Sequence, residues 1–400
     1  MPSPQSVFRD ETKLDINYVP HRLLHREKEM RLLAEFFSFT VQTPGKMAQR
    51  VLLVGDVGTG KTALAQRFGG NITEEARQRG INLRYIHVNC RQYRGSLFLI
   101  LYHAVSFFYP NFPKRGFSAE ELLQILLQVL DEQNVYVILT LDEFESLIER
   151  EGSEAVYKFT RLQEARLDKL QRISLICVLK NLKTIESLDA STRSTLQSNV
   201  IHLERYTQEQ LADIISDRVQ LAFKPFTVPE DTINLIAELA HSEGGNARFA
   251  IELLWRAGKY ADAENFGAVI PDCVRKAVSS IYAVARKSDL AGLSLHEKLF
   301  LLAIARFFKE NDRAYASLAE VEQAYAILCE EFGVQPYTHT QLWKYLQTLS
   351  ALGIIKKGVS TAGQRGRSTL ISLPGIPTQE LEKELMALLE KENREKITYK

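Results

Sequence analysis

A glycine-rich turn between an apolar run and a helical pattern constrains the fold of this chain more than any other feature. Residues 55–62 read Gly-Asp-Val-Gly-Thr-Gly-Lys-Thr and match the pattern GxxxxGK[ST] in full. The apolar run at 51–54 predicts a strand before the turn, and the pattern from Lys61 predicts a helix after it. Backbone N–H groups of such a turn, next to a helix N-terminus, form a site for phosphate groups. The sequence therefore predicts a nucleotide-binding P-loop made of Gly55, Asp56, Val57, Gly58, Thr59, Gly60, Lys61 and Thr62.

A second apolar run, residues 135–141, ends in two carboxylates, Asp142 and Glu143. A continuous apolar run is typical of a strand that is buried on both faces. Such carboxylates can simply cap the next helix, but beside a P-loop we favour a catalytic interpretation. Lys61 is then expected to reach the β and γ phosphates of ATP, and Thr62 and Asp142 to hold Mg²⁺. Glu143 is expected to activate the attacking water, so Glu143 and Lys61 are the predicted catalytic residues.

Strand patterns alternate with helical patterns in the first half of the chain, which predicts an α/β domain with a parallel sheet. The expected strands are residues 51–54, 85–88, 135–141, 173–179 and 200–203. From 207 to about 286 the periods are helical. Capping-box patterns at Ser294, Ser317 and Thr338 then predict three helices, and runs at 354–357 and 368–373 predict a hairpin. We therefore predict a nucleotide-binding base at 1–203, a helical lid at 204–286 and a winged-helix domain at 287–400, with a charged helix from residue 378.

Composition excludes several other classes of protein. The net charge is +1, so any DNA-binding surface must be local. The four cysteines are far apart, which argues against a zinc site or a disulfide framework and fits a reducing cytosol. The N-terminus lacks the apolar core of a signal peptide. The uncharged stretch at 95–113 is interrupted by polar residues and prolines, so it predicts a buried helix and no membrane contact.

With these motifs in place, the chain resembles the AAA+ superfamily, and within it the archaeal ORC/CDC-type replication initiators. Residues 7–27 resemble that family's adenine-pocket segment, which makes Tyr18, Val19, Pro20 and Arg26 candidate nucleotide contacts. The run Gly-Gly-Asn-Ala-Arg at 244–248 resembles sensor 2, in which an arginine of the lid, here Arg248, reaches the nucleotide. The C-terminal winged helix, with Leu-Gly-Ile-Ile at 352–355, resembles the family's DNA-binding domain.

The resemblance implies ATP-dependent recognition of double-stranded origin DNA and recruitment of the replicative MCM helicase. It also implies ATP or ADP with Mg²⁺ as cofactors, paralogous initiators as candidate partners, and a nucleoid-associated location in the cytoplasm. By register, the family's sensor-1 residue falls on Asn181 or on Lys180. Arg193 is either an arginine finger or a solvated loop residue. Both open assignments favour slow hydrolysis, as in a switch, over the rapid turnover of a motor.

The C-terminal unit contains a locally basic segment. Residues 336–372 contain no Asp or Glu, and their basic residues are Lys344, Lys356, Lys357, Arg365 and Arg367. Leu342, Leu346 and Leu349 mark the inward face of the third helix, so Thr340, Lys344, Gln347 and Thr348 are expected to face outward. Such side chains reach phosphates and base edges in a major groove. The predicted DNA contacts are Thr340, Lys344, Gln347, Lys356, Lys357, Arg365 and Arg367.

Other interpretations of these patterns stay open at this point. A basic wing can be incidental on a winged helix that docks proteins. The family's helical insertion suggests a second DNA contact, for which the candidates are Arg91, Arg94, Lys114 and Arg115. A nucleotide-responsive winged-helix transcription regulator and an AAA+ loader acting on protein are the rival functions. The sequence does not distinguish a main initiator from an accessory one.

Overall fold

The computed structural model describes residues 6–161, 169–196, 199–281, 290–359, 369–373 and 375–398. The chain forms two compact units. The sheet unit is Val19–Tyr206, and the helical unit combines Met1–Tyr18 with Thr207–Lys400. Residues 1–18, which the domain prediction placed in the base, are thus grouped with the lid segment. The predicted boundary at 203 stays a prediction, and the one at 286 lies outside the described residues.

The sheet unit contains a five-stranded parallel sheet, which confirms the predicted α/β class. Its strands are arranged in the order β2-β3-β4-β1-β5. They are β1 (Arg50–Val54), β2 (Leu83–Asn89), β3 (Tyr136–Asp142), β4 (Ile173–Leu179) and β5 (Val200–His202). The helices are α1 (Glu27–Phe36), α2 (Ser38–Gln42), α3 (Lys61–Gln78), α4 (Leu97–Phe108), α5 (Ala119–Glu132), α6 (Glu145–Arg161), α7 (Lys183–Glu186) and α8 (Ala190–Leu196).

The apolar strands form a middle layer with a core on each face. Leu52 and Val54 of β1 pack in the core that includes α4 and α5, and Val51 and Leu53 pack in the core that includes α1 and α3. This alternation is the pleat of a strand that is buried on both faces. The uncharged stretch at 95–113 forms α4, whose Ile100 and Leu101 are fully buried. No helix in the described part of the chain is long and apolar enough to cross a bilayer.

The N-terminal segment packs on the lid helices of the helical unit. The lid consists of α9 (Gln208–Ala222), α10 (Glu230–Ser242), α11 (Ala247–Ala263) and α12 (Pro271–Ile281). Phe8 forms a β-bridge with Phe223, and the two rings pack at a tilt of 36° with their centroids 4.7 Å apart. Glu11, in the 3-10 helix Glu11–Leu14, accepts hydrogen bonds from Trp255 and Lys259 of α11. These contacts explain why residues 1–18 belong to this unit.

The winged-helix domain has the predicted helices followed by a hairpin. Its helices are α13 (Leu295–Glu310), α14 (Leu318–Glu331), α15 (His339–Ala351) and α16 (Thr378–Thr398). Its antiparallel sheet has the order β6-β8-β7, with β6 (Tyr315–Ser317), β7 (Lys356–Val359) and β8 (Thr369–Ser372). The short strand β6 was not predicted. The wing residues Arg365 and Arg367 lie outside the described residues.

Two of the three capping boxes predicted for this domain form as expected. Ser294 and Ser317 each cap a helix in a reciprocal pair, with Glu297 and Glu320. The capping box predicted at Thr338 is wrong, although α15 does begin there, because the Thr338 side chain makes no capping hydrogen bond. The Gln341 side chain instead hydrogen-bonds the hydroxyl of Tyr345.

A buried arginine joins the lid to the winged helix. Arg275 of α12 donates hydrogen bonds to the carbonyl oxygens of Leu373 and Arg313, at 2.9 and 3.2 Å, and its guanidinium lies over the ring of Phe308. Burial lowers the pKa of Arg275 to about 10, against the opposing effect of Asp272. Because the Arg275 side chain is only 1% exposed, water cannot take over the hydrogen bonds that it donates to these two carbonyl oxygens.

We expect Arg275→Met to destabilise the helical unit by about 3 kcal/mol, because two buried carbonyls lose their donors and Asp272 loses its ion-pair partner. Thermal unfolding of the full chain measures this effect. Arg256→Met is the matched control, since Arg256 pairs with Glu252 on the surface of α11 and its loss should change stability by at most about 0.5 kcal/mol. Equal melting temperatures for the two variants would contradict the role given to Arg275.

Candidate functional site

The loop at residues 55–62 has a backbone that requires its glycines. It connects β1 to α3, and Gly58 and Gly60 have φ angles of 80° and 88°, in the left-handed region. A Cβ atom on Gly55 would lie 2.5 Å from the carbonyl oxygen of Leu203. Side chains at these positions would therefore strain or displace the loop. The loop has the strand-turn-helix context of a phosphate-binding P-loop, as the sequence predicted.

Lys61, the first residue of α3, folds its side chain back over the loop. Its Nζ donates hydrogen bonds to the carbonyl oxygens of Gly55 and Asp56, at 2.5 and 2.7 Å. Burial lowers the pKa of Lys61, while the carboxylates of Asp142 and Glu145 oppose this effect. The ammonium group is thus held within the concave side of the loop, where phosphate oxygens bind in P-loop proteins.

Thr62 and Asp142 form the oxygen pair that was predicted for Mg²⁺. The Thr62 hydroxyl donates to Asp142 Oδ2 at 2.7 Å, and the backbone N–H of Glu143 donates to Asp142 Oδ1 at 2.9 Å. Burial raises the pKa of Asp142, but the contact with His87 and the hydrogen bond from Thr62 outweigh this, so the net pKa is lowered. The carboxylate is therefore held in its charged form.

This donor set fits Mg²⁺. Magnesium is usually held by one or two carboxylates together with substrate phosphates, so it does not need a dedicated protein cage. The described residues contain no group of three or more His, Cys, Asp or Glu side chains arranged for a metal. Thr62 and Asp142 would hold the ion at the loop, and the ion would neutralise phosphate charge there.

Glu143 follows β3 with an unusual backbone. Its φ of 50° places a non-glycine residue in the left-handed region, a conformation that is enriched at functional sites. Its carboxylate is partly exposed and lies 3.9 Å from the Arg91 guanidinium. Arg91 in turn lines a cavity of 330 Å³ with Arg94, Ser146, Glu149 and Arg150. Two of the four residues suggested for a second DNA contact thus lie together, whereas Lys114 and Arg115 do not line this cavity.

The two sensor-1 candidates differ in their local contacts. Both follow β4, whose last residue, Leu179, accepts a hydrogen bond from the backbone N–H of Gly55. The Asn181 side chain accepts a hydrogen bond from the backbone N–H of Lys183 at 3.0 Å, so its amide oxygen is used in the turn before α7. The backbone N–H of Lys180 donates to Glu145. The choice between them stays a prediction.

The possible arginine finger, Arg193, is on helix α8. Its guanidinium contacts the carbonyl oxygen of Glu186 at 3.5 Å, and the residue is half-buried. The role of Arg193 stays a prediction.

Arg26, a candidate nucleotide contact, is buried beneath the P-loop. It donates to the carbonyl oxygens of Thr59 and Glu204, at 3.0 and 2.6 Å, and its guanidinium lies 4.0 Å from the centre of the Tyr206 ring. The Tyr206 hydroxyl in turn lies next to Gly60. The described contacts of Arg26 therefore hold the loop in shape, and its contact with nucleotide stays a prediction.

The remaining predicted nucleotide contacts are distributed over the two units. Val19 and Pro20 belong to the sheet unit, where Arg67 of α3 donates hydrogen bonds to both carbonyl oxygens. The distance to the Val19 oxygen is 3.3 Å, and the two distances to the Pro20 oxygen are 2.6 and 2.9 Å. Tyr18 belongs to the helical unit, where the guanidinium of Arg218 donates to its carbonyl and lies over its ring. Arg248 is exposed in the first turn of α11, which Asn246 caps.

Sequence reasoning missed Arg67, Arg218 and His87, which support the predicted contacts. Only Arg218 carried a signal that could have been used. It continues the buried stripe of α9, at helical spacing from Leu211 and Ile215, where a charged residue is out of place unless it has buried acceptors.

The helix α15 presents the two faces predicted for it. Leu342, Leu346 and Leu349 are buried, while Thr340, Lys344, Gln347 and Thr348 are exposed. On β7, Lys357 is exposed, but Lys356 is directed to the lid. Its Nζ donates to the Ser242 hydroxyl at 2.6 Å and lies 3.9 Å from Glu238. Of the predicted basic residues, Lys344 and Lys357 are therefore exposed, whereas Lys356 makes contacts with the lid.

Comparison with known proteins agrees with this architecture. Residues 46–182 match the family model of an AAA domain, residues 212–279 that of the Cdc6 AAA+ ATPase-type lid domain, and residues 288–384 that of the CDC6 C-terminal winged helix domain. The ORC1-type DNA replication protein 2 of Sulfurisphaera tokodaii is 34% identical over 98% of this chain and 94% of its own length.

Solved structures are similar over the same extent. Cdc6p from Pyrobaculum aerophilum superposes with a TM-score of 0.83 and 31% identity, covering 97% of this chain and 100% of that one. The ORC1 protein of Aeropyrum pernix in complex with DNA has a TM-score of 0.63 and 30% identity, covering 94% and 96%. The chain belongs to the archaeal ORC1-type replication initiators, AAA+ proteins with a lid and a C-terminal winged-helix DNA-binding domain.

Proposed function

We propose that this chain is a nucleotide-controlled switch that binds double-stranded origin DNA and helps to recruit the replicative MCM helicase. The observation that carries the proposal is the contact between Thr62 and Asp142 beneath the glycine loop. It joins the residue after the P-loop lysine to the carboxylate at the end of β3, which is separated from β1 by β4. P-loop ATPases use this pair of residues for Mg²⁺ and phosphates.

The sheet unit supplies the chemistry in this proposal. Lys61 would exchange its contacts with loop carbonyls for the β and γ phosphates of ATP or ADP, because both sets of partners are oxygen acceptors at the same loop. Glu143 would orient and deprotonate the attacking water. Arg248 of the lid would contact the nucleotide as sensor 2. Hydrolysis would be slow, because the Asn181 amide oxygen is used in the turn before α7 and the Arg193 guanidinium contacts the Glu186 carbonyl.

The winged helix supplies the DNA-binding surface. Thr340, Lys344 and Gln347 on the exposed face of α15 suit a major groove, and Lys357 suits a phosphate beside it. The similar Aeropyrum pernix ORC1 protein was solved in complex with DNA, which supports DNA binding by this chain. Arg365 and Arg367 complete the proposed set, whereas Lys356, with its lid contacts, would contribute less.

The partners of the switch follow from the family. Helicase recruitment and assembly with paralogous initiators are proposed on the basis of family membership, as is a nucleoid-associated location in the cytoplasm. The names of the curated relatives support a role in replication over the rival functions in transcription or protein loading.

We expect two substitutions in the sheet unit to separate nucleotide binding from hydrolysis. Lys61→Ala should abolish ATP binding, because it removes the loop's ammonium group. Glu143→Gln should keep nucleotide binding but stop turnover, because an amide does not accept the water's proton. Nucleotide affinity and phosphate release for both variants are the measurements, and Lys46→Ala in the same unit is the control. If Lys61→Ala bound ATP with wild-type affinity, the assignment of residues 55–62 as a nucleotide-binding P-loop would be wrong.

A second test concerns DNA. Lys344→Ala and Lys357→Ala should weaken binding to all duplexes and lower the dependence of log affinity on log salt by ~0.9 for each lost phosphate contact. Gln347→Ala should instead reduce sequence preference. The difference in binding free energy between chromosomal fragments selected by the wild-type chain and random duplexes should fall by ~1–3 kcal/mol. Lys383→Ala, an exposed lysine on α16, is the control of the same type.

Titration of each full-length variant across salt concentrations decides the point. If Lys344→Ala, Lys357→Ala and Gln347→Ala all bind like Lys383→Ala, the exposed face of α15 does not contact DNA.

A further inference from the structure

Two polar side chains on β2 form a chain of contacts that ends at the carboxylate of Asp142. Tyr85 and His87 are two residues apart, so they project from the same face of the strand. The Tyr85 hydroxyl lies 3.3 Å from His87 Nδ1, and His87 Nε2 lies 3.4 Å from Asp142 Oδ2. Because β2 and β3 are parallel and paired, with Asn89 opposite Asp142, this chain of contacts crosses directly between neighbouring strands.

The contacts indicate where the imidazole proton lies. Burial raises the pKa of Tyr85, so its hydroxyl keeps its proton and can donate to Nδ1. A neutral imidazole that accepts at Nδ1 carries its own proton on Nε2. The Nε2–H group then faces Asp142 Oδ2. A separation of 3.4 Å is long for a hydrogen bond, and contacts of this kind commonly shorten when the ligand is bound.

The Asp142 carboxylate has donors on three sides. The Glu143 backbone N–H serves Oδ1, while the Thr62 hydroxyl and His87 both approach Oδ2. Thr62, as a proposed Mg²⁺ ligand, would bind the ion through a lone pair of its hydroxyl oxygen and would keep its proton for Asp142. His87 would be the second side-chain donor at Oδ2, and it approaches the carboxylate from β2, outside the P-loop. Donors of this kind commonly govern metal affinity.

We propose that His87 is a positioning residue that orients Asp142 for Mg²⁺ through its Nε2–H group, with Tyr85 fixing the imidazole tautomer. The inference rests on the proposed nucleotide function. It assigns His87 no contact with nucleotide, water or phosphate. The expected consequence is a loss of Mg²⁺-dependent nucleotide affinity with no loss of the affinity that remains without Mg²⁺.

The experiment uses the full chain and a fluorescent ADP analogue, titrated with Mg²⁺ and also measured in EDTA. His87→Phe keeps the ring and removes the donor, so the Mg²⁺ concentration at half-maximal binding should rise about tenfold while binding in EDTA is unchanged. His87→Gln restores a donor and should recover most of the Mg²⁺ response. Tyr85→Phe, which removes only the hydroxyl, should give a smaller shift in the same direction.

A matched control comes from α4. His103 Nδ1 lies 3.0 Å from the Tyr93 hydroxyl, so His103→Phe breaks a second tyrosine–histidine pair in the same unit without approaching Asp142. It should leave the Mg²⁺ titration unchanged. If His87→Phe does not fold, as judged by thermal unfolding, the Tyr85→Phe and His87→Gln titrations decide the question.

Each outcome has a definite meaning. An unchanged Mg²⁺ midpoint in Tyr85→Phe and in His87→Phe would overturn the proposal. Equal weakening with and without Mg²⁺ would also overturn it, since His87 would then support the fold of the site and not the orientation of the carboxylate. A wild-type chain that binds the analogue in neither condition would instead overturn the proposed nucleotide function on which the inference rests.

Discussion

The parallel pairing of β1, β4 and β3 is the constraint on which the rest of the site depends. Because parallel strands end at the same edge, the pairing of Val54 with Leu179 and of Leu141 with Cys177 brings three chain segments together at one edge. They are the glycine loop, the turn after β4 and the acidic residues after β3. The backbone N–H of Gly55 bonds to Leu179, which ties the loop to this edge. The contact between Thr62 and Asp142 follows from that geometry.

Buried or half-buried arginines that bind backbone carbonyls are the second recurring feature of the structure. Arg26 holds the P-loop, Arg67 holds the segment at 19–20, Arg218 holds Tyr18, and Arg275 holds the winged helix against the lid. A guanidinium has several donors in a rigid plane, so a single side chain can satisfy carbonyls from separate segments that have no strand partner. Irregular loops near a site are thereby fixed without secondary structure. Burial makes Arg26, Arg218 and Arg275 sensitive to substitution.

The parts of the fold that rest on local pattern were predictable, and the parts that rest on tertiary contacts were not. Local sequence patterns were enough to predict the P-loop, the strand at 173–179 and the buried face of α15. Each is determined by the residue types and their spacing within one short segment. Strand β6 consists of Tyr-Ala-Ser, which is too short to show any period. The capping box at Thr338 does not form, since the Thr338 side chain makes no capping hydrogen bond. The hydrogen bond from Arg26 to the Thr59 carbonyl joins distant segments, so only the fold reveals it.

The two adjacent lysines of β7 have different surroundings because successive side chains of a strand project to opposite faces. Lys356 and Lys357 project to opposite faces, so Lys356 meets Ser242 and Glu238 of the lid while Lys357 is exposed. On the other edge of the same sheet, Tyr315 of β6 donates to Glu238 at 2.9 Å. Lid helix α10 is therefore tied to both edge strands of the winged-helix sheet. Since α15 packs in the same core as this sheet, a displacement of α10 would reach α15, the helix proposed to contact DNA, through direct contacts as well as through the chain connection.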